Sequence, residues 1–127
     1  MVKDIPREVL VVEDEPLIRM VAADALADRG IMAWEAGDAD EALHVLAEHP
    51  HIGLVFTDVN MPGAMNGLGL AYEVNLRRPD VSLIVTSGAV SVTDEELPDH
   101  GTFLPKPYPT ERLVNIVIRK LDSPEER

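Results

Sequence analysis

Leu54-Val55-Phe56-Thr57-Asp58-Val59-Asn60-Met61-Pro62-Gly63 decides the fold of this 127-residue chain. Residues of high strand propensity run straight into an aspartate, and a turn with Pro62 and Gly63 follows. A near-continuous apolar run of this length suits a strand buried on both faces of a parallel sheet. Asp58 then lies at the strand's carboxyl end, the edge at which open α/β sheets bind ligands. An isolated aspartate there would be an ordinary turn residue, so the rest of the chain decides its meaning.

Working outward, the same pattern recurs. Val9-Leu10-Val11-Val12 reads as a first strand, stopped by Glu13-Asp14-Glu15-Pro16. Pro16 suits a helix's first turn. Ile18, Val21, Ala22 and Ala25 follow helical spacing, and Gly30 closes that helix as a C′ residue. Ile31 to Glu35 is the second strand. Asp38, with Glu41 in capping-box position, opens a helix from Ala39 to Glu48. After the third strand, Ile52 to Thr57, a loop through Gly67 leads to a helix of about Leu68 to Arg77. Val81 to Thr86 is the fourth strand and ends at Ser87-Gly88. Thr93 with Glu96 predicts a short helix before Pro98. Gly101 to Leu104 is the fifth strand, ended by Lys106-Pro107. Thr110 caps a last helix bearing Leu113, Ile116, Val117 and Leu121 on one face. Residues 1–7 read as a polar lead-in, and Asp122 to Arg127 as a frayed polar tail.

Five alternations of strand and helix predict an α/β fold: a flavodoxin-like (βα)5, doubly wound, five-stranded parallel sheet. Right-handed crossovers and the order 2-1-3-4-5 bring the first strand beside the third, so Glu13-Asp14 meet Asp58. The expected organisation is one domain over 1–127, with its core at about 8–121.

The net charge of −12 argues against direct nucleic-acid binding, which needs a basic patch. There is no cysteine, hence no disulfide framework and no thiolate metal site, in keeping with a cytoplasmic setting. No stretch approaches the roughly 18 apolar residues of a membrane helix, and the start lacks a signal-peptide core. His44, His49, His51 and His100 have no metal-ligand spacing and read as surface or cap residues; Trp34, Met61 and Met65 read as packing.

The predicted strand ends carry a specific set: Glu13 and Asp14, Asp58, Ser87 with Gly88, and Lys106. Crowded carboxylates repel and call for a counter-charge. A hard divalent cation with oxygen ligands, most simply Mg²⁺, meets that need, and Lys106 adds a second positive group. A carboxylate so placed can attack phosphorus and form an aspartyl phosphate. Ser87 can hydrogen-bond a phosphoryl oxygen.

On these residues the chain resembles a response-regulator receiver domain of two-component signalling, of the stand-alone type, over roughly residues 8–121. The matching motifs are Val11-Val12-Glu13-Asp14, Asp58-Val59-Asn60-Met61-Pro62, Ser87-Gly88 and Lys106-Pro107. The resemblance implies that Asp58 accepts a phosphoryl group from a phosphohistidine on a histidine kinase or histidine phosphotransfer protein. It implies that Asp14 binds Mg²⁺ directly, Glu13 through water, and Asn60 through its backbone carbonyl. It makes Ser87 the switch hydroxyl, Phe103 the aromatic that turns inward, and Lys106 the partner of the phosphoryl oxygens. It implies a cis Lys106-Pro107 bond, a downstream protein effector, and a dimer as one form of output.

Three departures from the family pattern stand out. Glu13 replaces the usual first aspartate. The loop Gly63-Ala64-Met65-Asn66-Gly67 is one residue longer than the common form. The segment between Ser87 and Lys106 is short and carries Pro98, so its helix reads as short or irregular. Rival readings are a Mg²⁺-dependent phosphatase with an aspartate nucleophile, a phosphorylation-independent scaffold, and a flavin binder. The phosphatase wants an acid two residues after the nucleophile, where Asn60 stands. The scaffold would not need Asp14, Asp58, Ser87 and Lys106, and the acidic loop after the first strand would repel a flavin phosphate.

Overall fold

In a computed structural model of the chain, which describes residues 7–89, 91–98 and 100–122, five parallel strands form one sheet in the order β2-β1-β3-β4-β5. The strands are β1 (Glu8–Val12), β2 (Met32–Ala36), β3 (Ile52–Asp58), β4 (Ser82–Ser87) and β5 (Thr102–Pro105). The helices are α1 (Pro16–Ala27), α2 (Ala39–Glu48), α3 (Gly67–Arg77) and α4 (Thr110–Asp122). The lead-in and the tail, as far as they fall in residues 1–6 and 123–127, lie outside the described residues.

Side-chain alternation sorts the strands onto two cores, as a sheet covered on both faces requires. Leu10, Val12, Val55, Leu83 and Val85 face α2 and α3, where they meet Ala42, Leu46, Leu70 and Val74. Val9, Val11, Leu54, Phe56 and Ile84 face the other way, against Ala22 and Leu26 of α1 and Leu113, Val117 and Leu121 of α4. β3 is buried along its whole length, so its last residue, Asp58, is delivered into the rim rather than to the surface.

Local chemistry sets the boundaries. Gly30, at φ +77°, donates to Ala27 O, and Ile31 N–H donates to Leu26 O, the paired bonds of a glycine-closed helix end. That closure uses the Ile31 N–H, so β2 starts one residue later than the sequence predicts. Asp38 caps α2 by accepting from Glu41 N–H at 2.8 Å. Glu41 returns its bond to Gly37 N–H at 2.7 Å, one residue before the cap. Thr110 is the first residue of α4 rather than its cap, because the Pro109 carbonyl accepts the bonds from Arg112 and Leu113.

One expectation needs correction and another is met. Ile18 and Val21 do not face the core: they are exposed with Leu17 and Met20, and α1 buries Ala22, Ala23 and Leu26 instead. Leu17, Ile18 and Val21 border a groove with Lys106, Pro107 and Tyr108, beside the sheet's carboxyl edge. The fourth of the five expected helices, read from the sequence as short or irregular, is a 3-10 turn of three residues, Asp94–Glu96. The Thr93–Glu96 capping box is present, but Leu97 is already extended before Pro98, so the turn cannot grow. Tyr72 OH donates to Glu96 O at 2.6 Å and Phe103 N–H to Asp94 Oδ1 at 2.8 Å, fixing the turn to α3 and to the β5 edge.

Candidate functional site

Four strands deliver the site. Asp58 ends β3 and is buried, 4 % exposed. Its Oδ1 accepts from Asn60 N–H at 3.1 Å and its Oδ2 from Lys106 Nζ at 2.6 Å. Lys106 follows β5 and is tied to β4 by its own N–H, which donates to Ser87 O at 3.1 Å. The Lys106-Pro107 bond is cis, as the resemblance implies. Glu13 follows β1, 5 % exposed, with Oε2 accepting from Glu15 N–H at 3.1 Å and Oε1 3.5 Å from Lys106 Nζ.

One ammonium therefore serves two buried carboxylates. Burial, and then the adjoining Asp58 carboxylate, push Glu13 up from 4.5 to about 7, against the opposing pull of the Glu15 N–H and Lys106. For Lys106, burial alone would favour the neutral amine, but the bond to Asp58 and the charges of Glu13 and Asp58 outweigh it and raise its pKa. The rim is thus short of positive charge. Its acceptors are all oxygens, and two buried carboxylates share the single Lys106 ammonium, so the residues fit a hard divalent ion such as Mg²⁺.

The other residues singled out from the sequence take distinct places. Asp14 is exposed, and among the described residues no three acidic or histidine side chains converge into a metal cage. Asn60 is exposed and touches Asp58 through its backbone N–H. Ser87 is buried at the end of β4, its Oγ accepting from Ala89 N–H at 3.2 Å. Phe103 is partly buried against the core beneath α2 and α3, paired with Val85 in the register. Met61 and Met65 pack as loop residues on that same core. Trp34 packs in β2, stacked on His49 at 3.6 Å and donating to Glu8 Oε1 at 2.8 Å.

Three residues near the site escaped the sequence reading. Gly67 starts α3 against the backbone of the candidate nucleophile: an added Cβ would lie 1.9 Å from Asp58 O. Its N–H donates to Val59 O at 2.9 Å, closing the loop that begins at Asp58. The Asn66-Gly67 pair is the signal that could have found it. Tyr108 stands edge-on to Phe56 at 5.9 Å, and burial raises its phenol pKa. Arg19 reaches from α1 to the carbonyl of Glu13.

A rim with a buried aspartate, a paired lysine and a second carboxylate, on this strand order, defines a phosphoacceptor-type α/β domain. The chain belongs to the response regulator receiver domain family, whose sequence pattern matches residues 9–118. It is 36% identical over 119 residues to the sensor kinase CckA of Brucella abortus, covering 91% of this chain and 12% of that protein. It is 34% identical over 124 residues to the nitrogen assimilation regulatory protein NtrX of Azorhizobium caulinodans, covering 91% of this chain and 26% of that protein. The chain therefore spans only a minor part of these curated relatives. The crystal structure of the receiver domain of NtrX from Brucella abortus superposes with a TM-score of 0.78 at 31% identity, covering 91% of this chain and 98% of that one. The chain is thus a receiver domain of the kind that accepts phosphoryl groups in two-component systems, a regulatory module rather than a classical enzyme. The phosphatase, scaffold and flavin readings are not favoured.

Proposed function

We propose that Asp58 takes a phosphoryl group from a phosphohistidine of a histidine kinase or histidine phosphotransfer protein, and that the modified rim switches a protein-binding surface. The observation that carries this is the 2.6 Å bond from Lys106 Nζ to Asp58 Oδ2 inside a buried rim. An Asp58 carboxylate oxygen attacks phosphorus, the P–N bond to the donor imidazole breaks, and its electron pair stays on that nitrogen. Lys106, already raised in proton affinity, stays an ammonium and neutralises charge on the transferring oxygens. Asn60 N–H holds the other carboxylate oxygen, so the nucleophile is oriented beforehand. Mg²⁺, held by Asp14, Asp58, the Asn60 carbonyl and, through water, Glu13, would supply further charge neutralisation at the phosphoryl oxygens.

Ser87, at the end of the neighbouring strand, then turns its hydroxyl toward the phosphoryl group, and Phe103 follows into the space vacated. The domain catalyses its own phosphoryl transfer and dephosphorylation and acts on no other substrate. The exposed Leu17, Ile18 and Val21 beside Lys106 and Pro107 support a protein donor docking at that edge. The charge of −12 supports a protein effector rather than nucleic acid as the output partner. Among the described residues no helix is long and apolar enough to cross a membrane; the cytoplasmic setting follows from the proposed donor.

Transfer from a purified phosphohistidine donor to the chain, followed by loss of label from the donor, tests the reading. Wild type is expected to gain the label and Asp58→Ala to gain none. Equal labelling of both would move the acceptor elsewhere.

A further inference from the structure

We infer that Arg19 is a positioning residue that sets the acidic turn Glu13-Asp14-Glu15 for metal binding; the inference rests on the reading of Glu13 and Asp14 as metal-holding residues. Arg19 lies on the first turns of α1, and only 22 % of its side chain is exposed. Its Nη1 donates to the carbonyl of Glu13 at 2.8 Å, while its Nε donates to Glu35 Oε1 on β2 at 3.1 Å. Glu13 N–H in turn donates to Ala36 O at 3.0 Å. The peptide between Glu13 and Asp14 is thus clamped through its carbonyl to a guanidinium that is itself held by the neighbouring strand. A planar fork bonded on two edges fixes orientation in a way a flexible ammonium cannot. That peptide fixes the direction in which the Asp14 side chain leaves the backbone.

Charge and position make opposite predictions here. A guanidinium close to a cation site repels the incoming ion, so its removal through charge alone would tighten Mg²⁺ binding. Loss of a positioning partner would loosen it, typically by tenfold or more. Arg19 is paired with Glu35, which offsets its charge and leaves the positioning effect dominant.

The test is a Mg²⁺ titration of ¹⁵N-labelled protein, followed at the amide signals of Asp58, Val59 and Asn60. Arg19→Met is expected to raise the Mg²⁺ Kd about tenfold or more in a protein that keeps its folded spectrum. Arg19→Lys keeps the charge but cannot span both partners, and should fall between wild type and Met. Glu35→Gln leaves Arg19 in place but loosens its anchor, and should raise Kd by a smaller factor. A folded Arg19→Met protein with an equal or lower Kd overturns the inference. If that variant fails to fold, Glu35→Gln decides, and an unchanged Kd there overturns it. Wild type without Mg²⁺-dependent shifts at these amides overturns both the metal reading and this one, whereas binding by wild type with unchanged affinity in the variants overturns this one alone.

Discussion

Replacing Glu13 by glutamine should stabilise the metal-free protein, and the size of the gain should follow pH. Glu13 is buried beside Asp58, and its pKa stands at about 7 against an ordinary 4.5. In the unfolded chain the carboxyl titrates near its ordinary value, so between these two values the native state binds more protons than the unfolded one. Stability therefore falls as pH rises through that window, and above about 7 the full cost is present. At roughly 1.4 kcal/mol for each tenfold change in proton affinity, and with part of the effect shared with Asp58 and screened by solvent, the cost is on the order of 1–3 kcal/mol. Glutamine keeps an oxygen for the Glu15 N–H and removes the charge. Thermal unfolding in EDTA should then show Glu13→Gln above wild type by roughly 4–10 °C at pH 8. The difference should shrink toward zero as pH falls to about 4.5. Saturating Mg²⁺ should raise the wild-type midpoint more than the variant's, because the ion offsets the same charge. A variant no more stable than wild type at pH 8, or a gain equal at pH 5 and pH 8, would refute the reasoning.

Three further outcomes are expected. Gly67→Ala should lose about 3 kcal/mol or more in urea denaturation, because its Cβ would fall 1.9 Å from Asp58 O and neither backbone can yield without moving the nucleophile. Lys106→Met should slow phosphorylation by acetyl phosphate about 100-fold at saturating Mg²⁺, measured by intact mass over time, since it removes the cation bonded to Asp58 Oδ2. Val21→Glu, on the exposed row of α1, should leave acetyl phosphate labelling unchanged yet slow transfer from a phosphohistidine protein about tenfold, the equivalent of roughly 1.4 kcal/mol of docking energy.

Much of the molecule was legible in its sequence because the signals were local. Runs such as Leu54 to Thr57 announce strands buried on both faces, and Asp38 marks the start of α2 to the residue. Right-handed crossovers narrow the strand orders, and the flavodoxin-like order expected from the sequence, which sets Glu13 beside Asp58, is the one the sheet adopts. Periodicity misled at α1, where Ile18 and Val21 share the helical spacing of a core face but cover a groove at the rim. Spacing registers that apolar residues line up; it does not say whether the sheet or another protein lies opposite. The capping signature at Thr93 was real, yet Pro98 left room for only one 3-10 turn. Gly67 against Asp58 O left only the turn signal of Asn66-Gly67, and Arg19 on Glu13 O left none, because their partners are backbone atoms, which carry no side-chain signature.

Asp58 as the phosphoryl acceptor is tested most directly by intact mass after incubation with Mg²⁺ and acetyl phosphate, with Asp58→Ala alongside. The account predicts the gain of one phosphoryl group by wild type and none by the variant. No gain by wild type from acetyl phosphate or from a phosphohistidine donor, or an equal gain in Asp58→Ala, would contradict it.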